Sequence, residues 1–427
     1  MRKNTAESID HQLVDPAFFG DEDQFYRLFA RMRREDPVHW TVSPDGTGVW
    51  SVFKHADVKT VLNNNTLFSS EREGDMPIFT RDVEVVAQEA FGIGDSILVT
   101  DPPRHTELRR VVDPPFKPKP LVELTERCGL LIKEIFDNLP ENGECDVVSD
   151  IGAKIPMAVI CDVLKIPKDD WDTILQWGKM TLGAGDPEYI TEGSTAVETM
   201  LKGFRGMREY CGKRALERRG CPYSDPLTLL ANAEINGQRL TDSEIAYNGL
   251  VLLIAGFETT RNAFAGGVLA LLQNPLQMSK LRENPKLVRL AAEEMVRWTN
   301  PVISVMRVAT ADAEIGGKAI REDDRVIAWL ASANRDEDAF ERADEFDVSR
   351  HPNLHVGFGG GAHFCVGGPL AKIEISFALQ ETLERYDGIE IIGPVERVHA
   401  NFVGGLKRLP VRLRRKTPAA HTSVRNV

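Results

Sequence analysis

The chain is expected to form one large, mainly α-helical domain with small accessory β-sheets, and three observations lead there. No proline interrupts Asp242 to Gln273, room for roughly 32 residues of one helix about 48 Å long. From Leu121 to Ala233 the apolar spacing is mostly helical, broken by Pro140, Pro167, Pro187 and Pro222. Strand-like runs are short and gather near the two ends. No internal repeat, low-complexity tract or Pro/Gly/Ser linker divides the 427 residues. The organisation read from this is a tail over 1–15, a single domain over 16–415 and a polar tail over 416–427.

Taken in chain order, Asp23 to Arg34 is amphipathic and helical. Val38 to Val42 and Val49 to Phe53 flank Pro44-Asp45-Gly46 and read as a hairpin. The central helix starts at a capping box made by Thr241 and Glu244 and closes at Asn274-Pro275. Leu250, Val251, Leu252, Leu253 and Ile254 make it apolar on nearly every face, so it should run through the middle of the molecule. Helical signals continue to Trp298, short strand-like runs follow, and a last helix spans about Pro369 to Tyr386.

Composition narrows the function classes. Hydrophobic residues are 42% and charged residues 27%, the balance of a soluble globular protein. Fifty-two basic against 64 acidic side chains give a net charge of −12, which argues against broad nucleic-acid binding or charge-driven membrane attachment. The longest mid-chain apolar stretch, Gly249 to Phe257, falls far short of the roughly 20 residues that span a bilayer. Met1 to His11 has no apolar core of a secretory signal. The expectation is a cytoplasmic protein with no membrane and no nucleic-acid partner. Six cysteines without a C-x-x-C pair fit reduced thiols.

Two clusters carry chemistry. In the middle of the apolar helix stand Ala255, Gly256, Phe257, Glu258, Thr259 and Thr260. A mid-helix glycine costs about 1 kcal/mol, and a buried carboxylate costs several unless paired. Either this is a solvated turn, or Ala255 and Gly256 leave room for a ligand while Glu258 and Thr259 handle protons beside it. The second cluster is Phe358-Gly359-Gly360-Gly361-Ala362-His363-Phe364-Cys365-Val366-Gly367-Gly368, ahead of Pro369 and a helix. Its glycines let the backbone approach a flat partner, and a cysteine at a helix mouth is a stabilised thiolate. That thiolate could be a nucleophile, a redox thiol or a metal ligand. A phosphate loop would want Lys-Ser or Lys-Thr after the glycines. Zinc held by His351, His355, His363 and Cys365 is the serious rival.

The cysteine loop matches the haem-binding signature F-G-x-G-x-H-x-C-x-G of the cytochrome P-450 family. The helix centre resembles that family's A-G-x-[DE]-T-T motif. Glu294-Met295-Val296-Arg297 is similar to its E-x-x-R pair, and Phe346 to Arg350 to its F-D-x-x-R segment. Asp101 to Arg110 resembles the D-P-P-x-H-x-x-x-R segment that meets the haem propionates. The resemblance covers about Pro16 to Arg415. It implies the P-450 fold, with the long helix over a haem b whose iron is axially ligated by Cys365, alongside Phe358, Gly359 and Gly367. It further implies propionate contacts from His105, Arg109, Arg307 and His363, a proton-relaying acid–alcohol pair in Glu258 and Thr259, and a fold-locking cluster of Glu294, Arg297 and Arg350.

The implied activity is a haem-thiolate monooxygenase. The chain ends too soon after Cys365 for a reductase domain, so ferredoxin and ferredoxin reductase are expected as separate electron donors. Arg109, Arg110, Lys117, Lys119 and Lys372 are the candidate basic contacts. By family position the pocket draws on the Asp75 to Leu98 loop, Thr181 to Met200, Val251, Ile254, Ala255, Val302 to Val305 (Val302 and Ile303 foremost) and His399 to Val403 (Phe402 foremost), mostly apolar. A medium-sized, mainly hydrophobic substrate follows, with an amino-acid- or peptide-derived natural-product intermediate preferred and a sterol or lipid as the alternative. The competing class is a haem- or zinc-binding protein without turnover, which would need no Glu258-Thr259 pair.

Overall fold

The computed structural model describes residues 4–43, 45–74, 76–77 and 83–416. The tail expected over 416–427 lies outside them except for Lys416, as do Pro44 of the hairpin turn and part of the Asp75 to Leu98 loop. Most of the segment expected as a tail over 1–15 is helical. Residues 4–14 form α1 (Asn4–Val14), with Leu13 fully buried and Asp10 Oδ1 paired to His39 Nε2 at 2.7 Å. Docking on its neighbours, rather than intrinsic propensity, stabilises so short a helix.

α2 (Glu22–Glu35) starts at Asp21, whose carboxylate accepts from Gln24 N at 3.0 Å. The hairpin follows as β1 (Val38–Val42) and β2 (Gly48–Val52), then α3 (His55–Asn63), β3 (Phe68–Ser69), α4 (Val83–Phe91) and α5 (Arg104–Val112). The helical middle comprises α6 (Pro118–Asp137), β4 (Glu144–Asp146), α7 (Lys154–Leu164), α8 (Trp171–Leu182), α9 (Ala196–Leu216) and α10 (Pro226–Asn232). Pro140, Pro167, Pro187 and Pro222 all fall in the connections, because proline lacks the N–H that a helix interior needs, whereas Pro118, Pro120, Pro156 and Pro226 sit in the first turns of α6, α7 and α10. After a short hairpin, β5 (Glu234–Ile235) and β6 (Gln238–Arg239), comes α11 (Asp242–Gln273). Both halves of its capping box are present.

α12 (Pro275–Glu283) and α13 (Val288–Thr299) lead into β7 (Val305–Ala309), β8 (Ala313–Ile315), β9 (Lys318–Ile320), β10 (Arg325–Ala328) and α14 (Leu330–Ala333). α15 (Gly368–Arg385), β11 (Tyr386–Ile391), β12 (Glu396–Arg397), β13 (Leu406–Arg408) and β14 (Pro410–Arg415) complete the described chain. The larger sheet has the order β1-β2-β10-β7-β3 and draws on both ends of the chain. β2 and β10 are parallel, with Val326 opposite Trp50, and the other neighbours are antiparallel.

The main core surrounds α11, where Leu250, Phe257 and Phe264 meet side chains of α6, α7, α9, α13 and α15. A second core lies between the larger sheet and α3. A third lies under α2, where Phe19 stacks on Trp329 with ring centroids 5.5 Å apart. Among the described residues no helix is long and apolar enough to cross a membrane.

Candidate functional site

α11 is buried along most of its length, yet Ala255 at its centre is exposed and Gly256 and Thr259 are half-exposed. Open surface in the middle of a core helix means that an internal space borders it. Cys365 shows the same combination, being enclosed by protein yet keeping accessible surface. The glycine-rich stretch and the centre of α11 therefore both keep surface that the packed core leaves unfilled.

The local backbone explains the glycines. Gly359 (φ +72°) and Gly361 (φ +59°) are left-handed, a conformation costly for any residue with a side chain. A Cβ on Gly361 would stand 2.5 Å from the carbonyl oxygen of Leu62 at the end of α3. Cys365 N donates to Phe358 O at 2.9 Å, and Gly368 then opens α15. Burial pushes the Cys365 thiol above its ordinary range, while the N–H groups of Gly367 and Gly368 and the charge of Arg109 pull the other way. Left to itself the sulfur is a neutral thiol. A cation bound to it turns the balance toward thiolate.

Four basic groups converge beside this loop. His105 is buried on α5 and its ring centroid lies 4.3 Å from that of His363. Arg307 is buried in β7, and Arg109 donates from Nη1 to Phe364 O at 2.7 Å and from Nε to Asp113 Oδ1 at 2.6 Å. Burial, then the charges of Arg109 and Arg307, hold His105 down at about 4. Burial, then Arg307, His105 and Arg109, hold His363 down at about 2. Nδ1 of His105 is buried without a partner. Two guanidinium groups beside two histidines that their charges hold neutral, one with an unpartnered ring nitrogen, call for a bound anion. A flat group with two carboxylates and a metal for Cys365 satisfies every part of this site, and haem is such a group.

Ser70 was not foreseen. Its hydroxyl lies 3.2 Å from His363 Nε2 across 293 residues of sequence, too far apart for any local pattern to show. Asp101 accepts from Ser70 N at 3.0 Å and so braces that serine. The zinc arrangement does not form. His355 Nε2 meets Glu293 Oε2 at 3.0 Å instead, and among the described residues no three His, Cys, Asp or Glu side chains are placed to hold a metal.

Glu258 also departs from expectation. Its carboxylate does not lie on the open face with Ala255 and Thr259 but in the seam between α8 and α11, 3% exposed. There Oε2 meets Arg261 Nη2 at 2.6 Å. Gly178 on α8 makes the room, since a Cβ there would approach Phe257 to 2.5 Å and Glu258 Oε1 to 3.2 Å. Thr259 donates from Oγ1 to Ala255 O at 3.1 Å. Of the pocket residues, Ile303 is misplaced. Its side chain, 3% exposed, belongs to the core with Phe19, Phe53 and Trp329, because alternation along an extended chain sends it to the face opposite Val302. Val302 and Phe402 are half-buried and brought close by the Val302–Val403 bridge. Val251 and Ile254 are nearly covered by the main core.

Behind the loop Glu294 and Arg297 are both fully buried on α13 and form a double hydrogen bond, 2.7 Å in each arm. Arg350 Nε adds a contact to Glu294 at 3.2 Å. The two guanidinium groups also donate to the carbonyls of Asn334, Glu341, Arg342, Ala343 and Glu345. They tie the segment ahead of the cysteine loop to α13.

The cytochrome P450 family model matches residues 213–391. Linalool 8-monooxygenase of Pseudomonas putida is 37% identical over 386 residues, 90% of this chain and 94% of that protein. Steroid C26-monooxygenase of Mycolicibacterium smegmatis is 34% identical over 391 residues, 90% of this chain and 89% of that protein. The solved structure of Mycobacterium marinum cytochrome P450 CYP268A2 in complex with pseudoionone superposes with a TM-score of 0.87 at 32% identity, covering 93% of this chain and 97% of that one.

Proposed function

Because the chain belongs to the cytochrome P450 family, whose monooxygenases work with a cysteine-ligated haem iron, we propose that Cys365 is the axial ligand here. Supporting this are the enclosed cysteine that keeps accessible surface, the four basic groups beside its loop and the open patch at the centre of α11. Bound there, haem b supplies the iron at which dioxygen is activated for insertion into substrate.

The chain's own residues do the rest. The N–H groups of Gly367 and Gly368 stabilise charge on the Cys365 sulfur, which tunes how strongly it donates. His105, Arg109, Arg307 and His363 neutralise the two propionates, and Phe358 with Gly359 and Gly367 shapes the wall around the sulfur. Ala255 keeps its side of α11 open, whereas Gly256 makes room for Ile160 of α7, which a Cβ there would approach to 2.6 Å. Thr259 passes protons across that opening, and Glu258 supplies them. Electrons come from ferredoxin and ferredoxin reductase as separate proteins in the cytoplasm. Arg110 and Lys119 are exposed for such an acidic partner, whereas Arg109 and Lys117 are engaged by Asp113 and Lys372 by Glu293.

The substrate is a medium-sized, mainly hydrophobic molecule. Linalool and steroids, named for two of the relatives, are mostly hydrocarbon, and this favours the sterol-or-lipid alternative over an amino-acid- or peptide-derived substrate. A spin-shift binding screen with terpene alcohols, sterols, branched lipids and aromatic dipeptide derivatives decides between them. The relay is tested with Thr259→Ala. It is expected to bind haem and substrate, still consume reduced nicotinamide, and form product roughly 10²-fold less efficiently, releasing hydrogen peroxide instead. An unchanged ratio of product to reduced nicotinamide would remove Thr259 from the relay.

A further inference from the structure

Two stretches that line the pocket by family position, Thr181 to Met200 and His399 to Val403, are fastened to each other by charge. α8 ends at Leu182, and the chain turns at once over the connection between β12 and β13. The turn lies close because it lacks side chains where it touches. A Cβ on Gly185 would stand 2.5 Å from His399 O and 3.0 Å from Pro16. The buried Asp186 then accepts from Lys407 Nζ at 3.0 and 3.2 Å, from Glu188 N at 3.0 Å and from the N–H of His399. Glu188 takes Arg408 at 2.6 and 3.1 Å and Lys407 at 3.1 Å. Glu396 completes the set with Arg408 at 2.7 Å.

The hairpin that carries these cations is itself rooted. Gly404 N donates to Pro301 O at 2.9 Å, Ile303 N to Phe402 O at 2.7 Å, and Arg397 Nη1 to Glu22 Oε2 at 2.9 Å. Residues 190–195, further along, are held differently. Among the described residues they hydrogen-bond only to one another and to the start of α9, as in Ser194 N to Thr191 O and Thr191 N to Thr199 Oγ1, both 3.0 Å.

Resting on the monooxygenase reading above, we infer that Asp186, Glu188, Lys407 and Arg408 determine specificity: their ion pairs clamp the end of α8 to the β12–β13 hairpin, fix the separation of two pocket walls and so cap the girth of the substrate. A slender hydrocarbon chain, as in a terpene alcohol or a branched lipid, is favoured over a fused-ring body. Burial pushes the Asp186 carboxyl up, yet the Glu188 N–H, Lys407 and the His399 N–H outweigh it and hold the group below its ordinary 3.8. The Lys407–Asp186 pair is therefore ionic at neutral pH, and at 11% and 2% exposure salt screens it little. Arg408 and Glu188 are far more exposed and contribute the weaker part.

The test titrates wild type, D186N, K407Q, K407R and R408Q with two nitrogen ligands of haem iron, read by the shift of haem absorbance. N-phenylimidazole is the slender probe and N-tritylimidazole the wide one, so no natural substrate is needed. The wide probe fits only when the walls part, and its apparent Kd is raised by the small fraction of molecules in which they do. D186N and K407Q should tighten the wide probe roughly 10-fold and change the slender one by less than about 2-fold. K407R should behave as wild type, and R408Q should fall between. A purely structural role would weaken both probes together and leave their ratio alone. Hydrogen exchange of the purified protein without probe follows the clamp itself: D186N and K407Q should speed the amides at 183–190 and spare the middle of α9. A wide-to-slender affinity ratio that K407Q leaves within about 2-fold of wild type, or amides at 183–190 that exchange no faster, overturns the inference. Should D186N not fold, K407Q carries the test, because it leaves Asp186 its backbone donors. A wild type whose haem absorbance neither probe moves refutes the monooxygenase reading instead, and the exchange result then decides the clamp alone.

Discussion

Arg297→Ala removes five hydrogen bonds from a site without access to water. Two run to Glu294 at 2.7 Å each, and the others to the carbonyls of Asn334, Ala343 and Glu345 at 2.7, 2.9 and 2.9 Å. Glu294 keeps Arg350 at 3.2 Å, Asn353 Nδ2 at 3.1 Å and the N–H of Asp347 at 2.9 Å, so its charge is weakened in support rather than abandoned. Breaking a fully buried pair costs about 3–5 kcal/mol, and each buried carbonyl left without a donor adds about 1 kcal/mol or more. The sum reaches most of the roughly 5–15 kcal/mol that holds a typical domain together. Little haem-loaded protein is expected from this variant, and what is recovered should unfold at far lower urea. Arg350→Ala, which loses the longer contact to Glu294, should cost visibly less. Glu294→Gln should also be costly, because it leaves the buried guanidinium groups of Arg297 and Arg350 without their carboxylate. Urea unfolding followed by haem absorbance and circular dichroism compares all three with wild type. A destabilisation below about 1 kcal/mol for Arg297→Ala would refute the reasoning, since that is what an exposed pair contributes.

Ile303→Ala should cost about 2–5 kcal/mol of stability and leave substrate spin shifts alone, whereas Phe402→Ala should alter the shifts; the reverse pattern would return Ile303 to the pocket. For haem-free protein a pH effect follows from His105, held at about 4 in the fold against 6.5 ordinarily. As pH falls from about 6.5 toward 4 the unfolded chain binds a proton that the folded chain refuses, so stability drops over that window and is flat above it for this group. Urea midpoints across that range, for wild type and His105→Gln, check this: the variant should lose less on acidification, and an identical loss would clear His105 of the effect.

What was legible in the sequence is what local chemistry determines. The ends of α11 follow from Thr241, Glu244 and Asn274-Pro275, each acting within one helical turn. The cysteine loop announces itself through glycines that the backbone needs at positive φ. Direction was harder to read. Which way Glu258 points depends on the groove opened by Gly178, a residue on another helix. Ile303 and Val302 differ by one position in an extended chain, and one position exchanges the two faces. Ser70 finds His363 only through the tertiary fold. The N-terminal helix has its reasons in Leu13 and His39, neither of which makes a polar segment look helical in isolation.

The central claim is that Cys365 binds haem iron as a thiolate, and the carbon-monoxide difference spectrum of the reduced protein tests it directly. Wild type should give the thiolate-type band. Cys365→Ser should lose it, while Ala in place of Cys128, Cys145, Cys161, Cys211 or Cys221, taken singly, should keep it. A wild type without the band, or a Cys365→Ser protein that retains it, contradicts the assignment.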